Sequence, residues 1–412
     1  MSVAREGAPG VRRLRLTAVP VWVWVAVLIG LVMRTASIAT VPLHQGGNGP
    51  PAFNDELSHL QHIRYLGTVW SVPDQRMNIG DPAAFTRGEV EYHQPPLYYM
   101  MSATLLRALP VLRTVQVPLL RGLSLLFWVV ALWILLRSLP DARMQAPLLF
   151  ASTLPAVSIL PSAYISNDAL LAVFVALMYA RSADLVRDGW STGRAVELGL
   201  AGALGAWTKL SAVTLWPMLA LAAFQVRPGN LGQKLGGAAI PMTAAFIGTL
   251  PLWVQRTLTY GEPLSFSFAS KGLTFQFRTA FAAAYHSLVA PWLEYWASPL
   301  VKLPALVLLT ALIVSGAAGI ALRQRIRDRV DERTARVLAL WVVGAGVATL
   351  AWAVYGFRFH QTESRLLLPA APGLAVLLGW PLWVWTPDRQ RLLGWALVLL
   401  LSLPYLKWGG IL

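Results

Sequence analysis

Two short stretches, FNDELSHLQHIRYL (53–66) and EVEYHQPPLYYM (89–100), hold most of the side chains in this sequence that could do chemistry. The segment 41–95 contains six acids (Asp55, Glu56, Asp74, Asp81, Glu89 and Glu91), three Arg and four His. An aspartate near its ordinary pKa of about 3.9 is ionised at neutral pH and can take a proton from an attacking group. Asp55 and Glu56 stand with His59 in the first stretch, and His93 and Gln94 stand in the second. Two other uses of the same residues stay open. Asn54 or Asp55 could serve only to cap a helix, and Asp55, His59 and His93 could offer a mixed oxygen and nitrogen metal site. The zincin spacing His-Glu-x-x-His is absent, so the pattern names no metal.

The elements that position these residues follow from hydrophobic periodicity. Leu57, Leu60, Ile63 and Leu66 recur every three residues, while Asp55, His59 and His62 fall on the other face. That spacing predicts an amphipathic helix over 55–69, suited to lie along a membrane interface with Asp55 and Glu56 at the water boundary. Pro95 and Pro96 predict the immediate start of the next helix. Elsewhere the chain is apolar: 56% of its 412 residues are hydrophobic and 13% are charged, against about 25% charged in soluble domains. Apolar segments fall near 17–40, 96–112, 117–137, 146–166, 168–186, 195–209, 210–226, 235–255, 300–322, 337–357, 366–385 and 391–409. Runs of this length without strict alternation predict an all-α polytopic membrane protein rather than a barrel.

Charge sets the expected orientation. The net charge of +15 fits basic cytoplasmic loops beside an anionic leaflet, and no motif supports nucleic-acid binding. The N-terminal patch Arg5, Arg12, Arg13 and Arg15 precedes an apolar run too long for a cleaved signal, so 1–16 is expected to be cytoplasmic and 17–412 a single membrane domain. Six Arg in RQRIRDRVDERTAR (323–336) mark another inner loop. The outer loops are then 41–95, 256–299 and 358–365, and all six His lie on that side. Parity requires the three segments between 96 and 166 to make two crossings, giving about eleven in all, within a range of ten to thirteen. Cysteine is absent, which excludes disulfides and thiolate chemistry.

NDELSH in the first outer loop, followed by QPPLYY opening the next helix, resembles the polytopic lipid-sugar glycosyltransferases of the C-type (GT-C) fold. The bacterial relatives of protein O-mannosyltransferases and aminoarabinose transferases are the most similar in pattern. YISNDALLAVFVAL (164–177), GLAGALGAWTKLSAVTLWP (199–217) and ESRLLLPAAPGLAVLLGW (363–380) resemble three further motifs of that superfamily, in the same order. The resemblance implies transfer of a monosaccharide from a polyprenyl-phosphate donor to an acceptor at the outer face, by inverting displacement. Asp55 matches the family's catalytic aspartate, with Glu56, His59, His93 and Gln94 lining the same chamber. A departing phosphate needs cationic partners, and Lys209 and Arg365, both expected at outer helix ends, fit that need. Asp168, behind Asn167 at an expected helix start, fits capping and substrate contact alike. Arg34 and Arg121 fit snorkelling or structural pairing. Gln94 departs from the aminoarabinose transferases, which carry lysine there, and so leaves donor and acceptor open.

The resemblance implies an enzyme of the plasma membrane and cell envelope; no cofactor beyond its lipid-linked donor is inferred, and a divalent metal stays open without being favoured. Its acceptor would be a protein, a glycolipid or a cell-wall glycan. The rival readings are a transporter or lipid flippase, a sugar polymerase or ligase with a pyrophosphate-linked donor, and a non-catalytic protein of the same fold. A transporter would be expected to show a repeat between halves, and none is visible in the sequence.

Overall fold

The computed structural model describes residues 21–40, 43, 56–71, 93–109, 113–139, 163–261, 263, 331–359 and 368–384. Every regular element among these residues is helical. In chain order they are α1 (Val21–Thr40), α2 (Glu56–Val69), α3 (Leu97–Ala108), α4 (Arg113–Ser138), α5 (Asn167–Asp188), α6 (Thr192–Thr208), a 3-10 turn (Leu210–Leu215), α7 (Trp216–Val226), α8 (Leu231–Tyr260), α9 (Glu332–Phe359) and α10 (Ala371–Val384).

Local chemistry accounts for the helix ends. Pro96 takes the N-cap position of α3 with φ −84°, where the missing proline N–H costs nothing. Ser166 is extended and its side chain accepts from the Asp168 amide, which starts α5. Asn230 and Gln233 form a reciprocal capping box at the start of α8. That helix stops at Gly261, whose left-handed φ of 81° would strain any residue with a Cβ.

The bundle is organised around α5, which packs against α4, α6, α7 and α9, while α6 lies along α8. Two of the glycines of α6 explain how closely these helices approach. A Cβ on Gly199 would lie 2.3 Å from the Pro241 carbonyl oxygen of α8, and one on Gly205 would lie 2.9 Å from the Ala212 methyl. Small residues let helix backbones meet at such distances inside a bilayer. A second buried cluster joins Leu60, Ile63 and Leu66 of α2 to Tyr98 and Tyr99 of α3, Leu120 of α4 and Ile165 of the α5 approach. The other side of α8 exposes Phe246, Ile247, Leu250, Val254 and Leu258, a face suited to lipid.

Among the described residues four helices are long and apolar enough to cross a membrane, within α4, α5, α8 and α9. The protein is thus a multi-pass helical membrane protein. The expected segments at 146–166, 300–322 and 391–409 lie almost wholly outside the described residues, and so does most of each expected outer loop. Segment 96–112 becomes the 12-residue α3, which at 1.5 Å per residue extends about 18 Å, well short of a hydrocarbon core of roughly 30 Å.

The expected helix over 55–69 forms, but its setting differs. Glu56, Leu57, Ser58, His59, Leu60, His62, Ile63 and Leu66 are all buried, so the polar face does not look into water. Periodicity separates polar from apolar faces but cannot show that the polar one has protein partners waiting for it.

Candidate functional site

Several helix ends converge at one end of the bundle: the starts of α2, α3 and α5 and the finishes of α6 and α8. Their polar side chains form two connected groups. In the first, Glu56 at the start of α2 is gripped by Arg121 of α4. Arg121 Nε donates to Oε1 at 2.7 Å and Nη2 to Oε2 at 2.6 Å. The Ile165 amide also donates to Oε1, at 3.0 Å. Glu56 and Arg121 are 2% and 1% exposed, so this is a dry, two-pronged ion pair of the strongest geometric type. Both oxygens of Glu56 are engaged, and its carboxylate lies within the protein rather than at the water boundary. Arg121, expected to snorkel or pair, pairs.

On the same helix, His59 and His62 meet a single tyrosine from α3. The His59 Nδ1 and Tyr99 hydroxyl are 2.7 Å apart. The His62 ring stacks on Tyr99 at 3.8 Å between centroids, with 19° between planes. These contacts, with the apolar cluster beneath them, fasten α2 to α3.

The second group joins the start of α3, the start of α5 and the end of α6. Lys209 Nζ donates to Asp168 Oδ1 at 2.8 Å, and Ser166 Oγ lies 3.3 Å from Asp168 Oδ2. Asn167 Nδ2 donates to Gln94 Oε1 and to the Thr208 carbonyl, each at 3.2 Å. His93 and Gln94 are adjacent, with Nε2 of each 3.5 Å from the other. Arg256, near the end of α8, fixes this corner by donating from Nη1 to the His93 carbonyl at 2.6 Å.

The position of Lys209 follows from the local fold. Its φ and ψ of −159° and 132° are extended, so α6 stops there and the chain turns through the 3-10 segment into α7. A side chain at such a break leaves the helix surface and can reach sideways to α5. A contact across the break holds it in place: Trp216 Nε1 donates back to the Gly202 carbonyl at 3.4 Å.

The structure therefore brings Glu56, His59, His93, Gln94, Asp168 and Lys209 to one end of the bundle. Asp55 and Arg365 lie outside the described residues. Among the described residues no group of three or more His, Cys, Asp or Glu is arranged to hold a metal ion. Sequence reasoning did not single out Arg256. The available signal was a lone basic residue near the end of an apolar helix, which is costly unless it has a partner. In the sequence Asn167 is only the neighbour of Asp168, whereas in the structure it links three segments.

No family model and no curated protein matches this sequence. Among solved structures the chain is similar to the crystal structure of ArnT from Cupriavidus metallidurans bound to undecaprenyl phosphate. The TM-score is 0.55 at 18% identity, covering 92% of this chain and 63% of that one. The apo state of the same protein gives a TM-score of 0.53 with the same identity and coverage. The chain spans less than two-thirds of the length of the ArnT structures it matches. Over nine-tenths of its own length, this chain has a fold similar to that of ArnT, an aminoarabinose transferase of GT-C fold, as the motif resemblance implied.

Proposed function

We propose that this protein is an integral-membrane glycosyltransferase that moves a monosaccharide from a polyprenyl-phosphate donor to an acceptor at the outer face of the plasma membrane. The observation that carries this reading is the fold shared with a protein crystallised with undecaprenyl phosphate. The paired Lys209 and Asp168 and the Gln94–Asn167 bridge supply polar chemistry at one end of that fold.

In this mechanism Asp55 takes the proton from the acceptor hydroxyl as that oxygen attacks the anomeric carbon. The bond from carbon to phosphate oxygen breaks, and configuration inverts because attack comes from the opposite side. The leaving lipid phosphate carries the displaced electron pair and requires cations to hold it. Lys209 and Arg365 fill that role: Asp168 accepts from one of the three N–H donors of Lys209, and a phosphate competes for the same ammonium. Glu56 contributes by holding α2 through Arg121, and the residue before it in sequence is Asp55. His59, His93 and Gln94 shape the wall around the donor. The orientation drawn from loop charge places 1–16 in the cytoplasm and 17–412 as one membrane domain, with 41–95, 256–299 and 358–365 outside.

Purified protein in membranes with native acceptors, given radiolabelled undecaprenyl-phosphate monosaccharides, tests this reading. Transfer by the wild type and none by Asp55→Asn, with thermal stability unchanged, is the expected result. Equal turnover by Asp55→Asn removes the base assignment. No turnover with any donor by well-folded wild type overturns the enzyme.

A further inference from the structure

Asn167 is fully buried, and its amide is oriented by chemistry rather than by choice. The Thr208 carbonyl can only accept, so the atom 3.2 Å from it must be the Asn167 nitrogen. The second N–H of that amide goes to Gln94 Oε1 at 3.2 Å. Both donors are then spent. The remaining atom, Oδ1, is buried and has no hydrogen-bond partner among the described residues. A buried carbonyl acceptor left open costs free energy, so one in a native site calls for an explanation. Its surroundings indicate what completes it. Asn167 precedes Asp168 in the chain, and through the Thr208 carbonyl it holds the residue before Lys209.

We infer that Asn167 is a binding residue for the glycosyl group of the lipid-linked substrate, its Oδ1 accepting a hydrogen bond from a sugar hydroxyl or amino group. This rests on the proposed glycosyltransferase reading and extends it to a named subsite. The complement follows from elementary donor and acceptor matching. A carbonyl oxygen gains nothing from an ionised phosphate oxygen, since both only accept. The phosphate therefore belongs with the ammonium of Lys209, and the group facing Asn167 must carry O–H or N–H. The two residues read two parts of one molecule from neighbouring helix ends. A site built to pair a substrate hydroxyl rejects an analogue that lacks it far more strongly than an apolar pocket can.

The test compares binding of two probes to purified full-length protein in nanodiscs: bare undecaprenyl phosphate, and undecaprenyl phosphate carrying a neutral hexose, a neutral pentose or an amino pentose. Wild type should bind the glycosylated lipid bearing its own sugar at least about tenfold tighter than the bare lipid. Asn167→Ala should lose that preference while keeping its affinity for bare undecaprenyl phosphate. Should Asn167→Ala not fold, wild type is assayed with single-deoxy or deamino versions of the preferred sugar, and one such change should abolish the preference. If Asn167→Ala weakens both probes equally, the residue only braces Gln94 and Thr208 and the inference fails. Retention of the full preference by Asn167→Ala, or an unchanged preference across the deoxy and deamino series, also overturns it. A wild type that binds neither probe defeats the glycosyltransferase reading itself, which is a separate outcome.

Discussion

Replacing Arg121 by methionine should be among the most damaging single changes in this protein. The substitution keeps the bulk of the side chain and removes the two short bonds of 2.7 and 2.6 Å that neutralise Glu56. Glu56 is 2% exposed, so water cannot replace them, and among the described residues only the Ile165 amide at 3.0 Å remains as a donor. Breaking a buried pair from one side costs about 3–5 kcal/mol because a charge is left stranded, a large part of a typical stability of roughly 5–15 kcal/mol. Removing both partners together, as Glu56→Leu with Arg121→Met, leaves no stranded charge. It leaves the Ile165 amide without its acceptor, a penalty of about 1–3 kcal/mol. The double variant should therefore be more stable than Arg121→Met alone. Reversible unfolding by SDS in mixed micelles measures all three proteins. An Arg121→Met variant within about 1 kcal/mol of wild type, or a double variant less stable than the single, would refute the reasoning.

On the proposed function, Asp168→Asn and Lys209→Met should each lower glycosyl transfer by roughly 100-fold, the scale for losing one electrostatic partner of a reacting group. Radiolabel transfer assays check this, and the combined variant should not regain activity. Gly199→Val should weaken the α6–α8 contact by about 1–3 kcal/mol through overpacking, since its Cβ would press on the Pro241 carbonyl oxygen. Gly236→Ala, in the same helix pair but with open space around it, should instead leave stability unchanged or raise it by up to about 1 kcal/mol, and paired unfolding curves compare the two. Asp331 accepts from the Thr334 amide at 2.9 Å and its hydroxyl at 2.6 Å, and bonds from the hydroxyl and amide hold its carboxyl below the usual range. A folded-state pKa below the unfolded one gives stabilisation that is complete above the unfolded value and fades as pH falls through the folded value. Amide protection in the first turn of α9, taken relative to the intrinsic exchange rate at each pH, should fall on acidification in that window, and Asp331→Asn should flatten the response.

Local signals made much of this architecture legible. Ser166 and Asn167 mark the start of α5, Pro96 the start of α3, and the Thr208–Lys209 step the end of α6, because caps and breaks act over a few residues. The partners of those residues were less accessible. Glu56 meets an arginine 65 positions away, and no periodicity encodes that distance. The alternation over Leu57–Leu66 reads as a helix with one watery face, whereas Tyr99 and Arg121 fill that side. Arg256 illustrates the same limit: the sequence puts it at the first position of an outer loop, whereas α8 runs on to Tyr260 and its grip on the His93 carbonyl depends on how distant segments pack.

The meeting of Asp168 and Lys209 has a consequence for how the site can be used. Asp168 stands in the first turn of α5, at the positive end of a 22-residue helix, and Lys209 directly follows the last residue of α6, at that helix's negative end. Each charge is thus favoured by its own helix dipole as well as by the other. An incoming anion that draws the ammonium away leaves the carboxylate still facing the amides of α5 and the Ser166 hydroxyl. The pair can separate and close again without either charge losing all of its support, and that reversibility suits the repeated uptake and release of an anionic lipid that the proposed function requires.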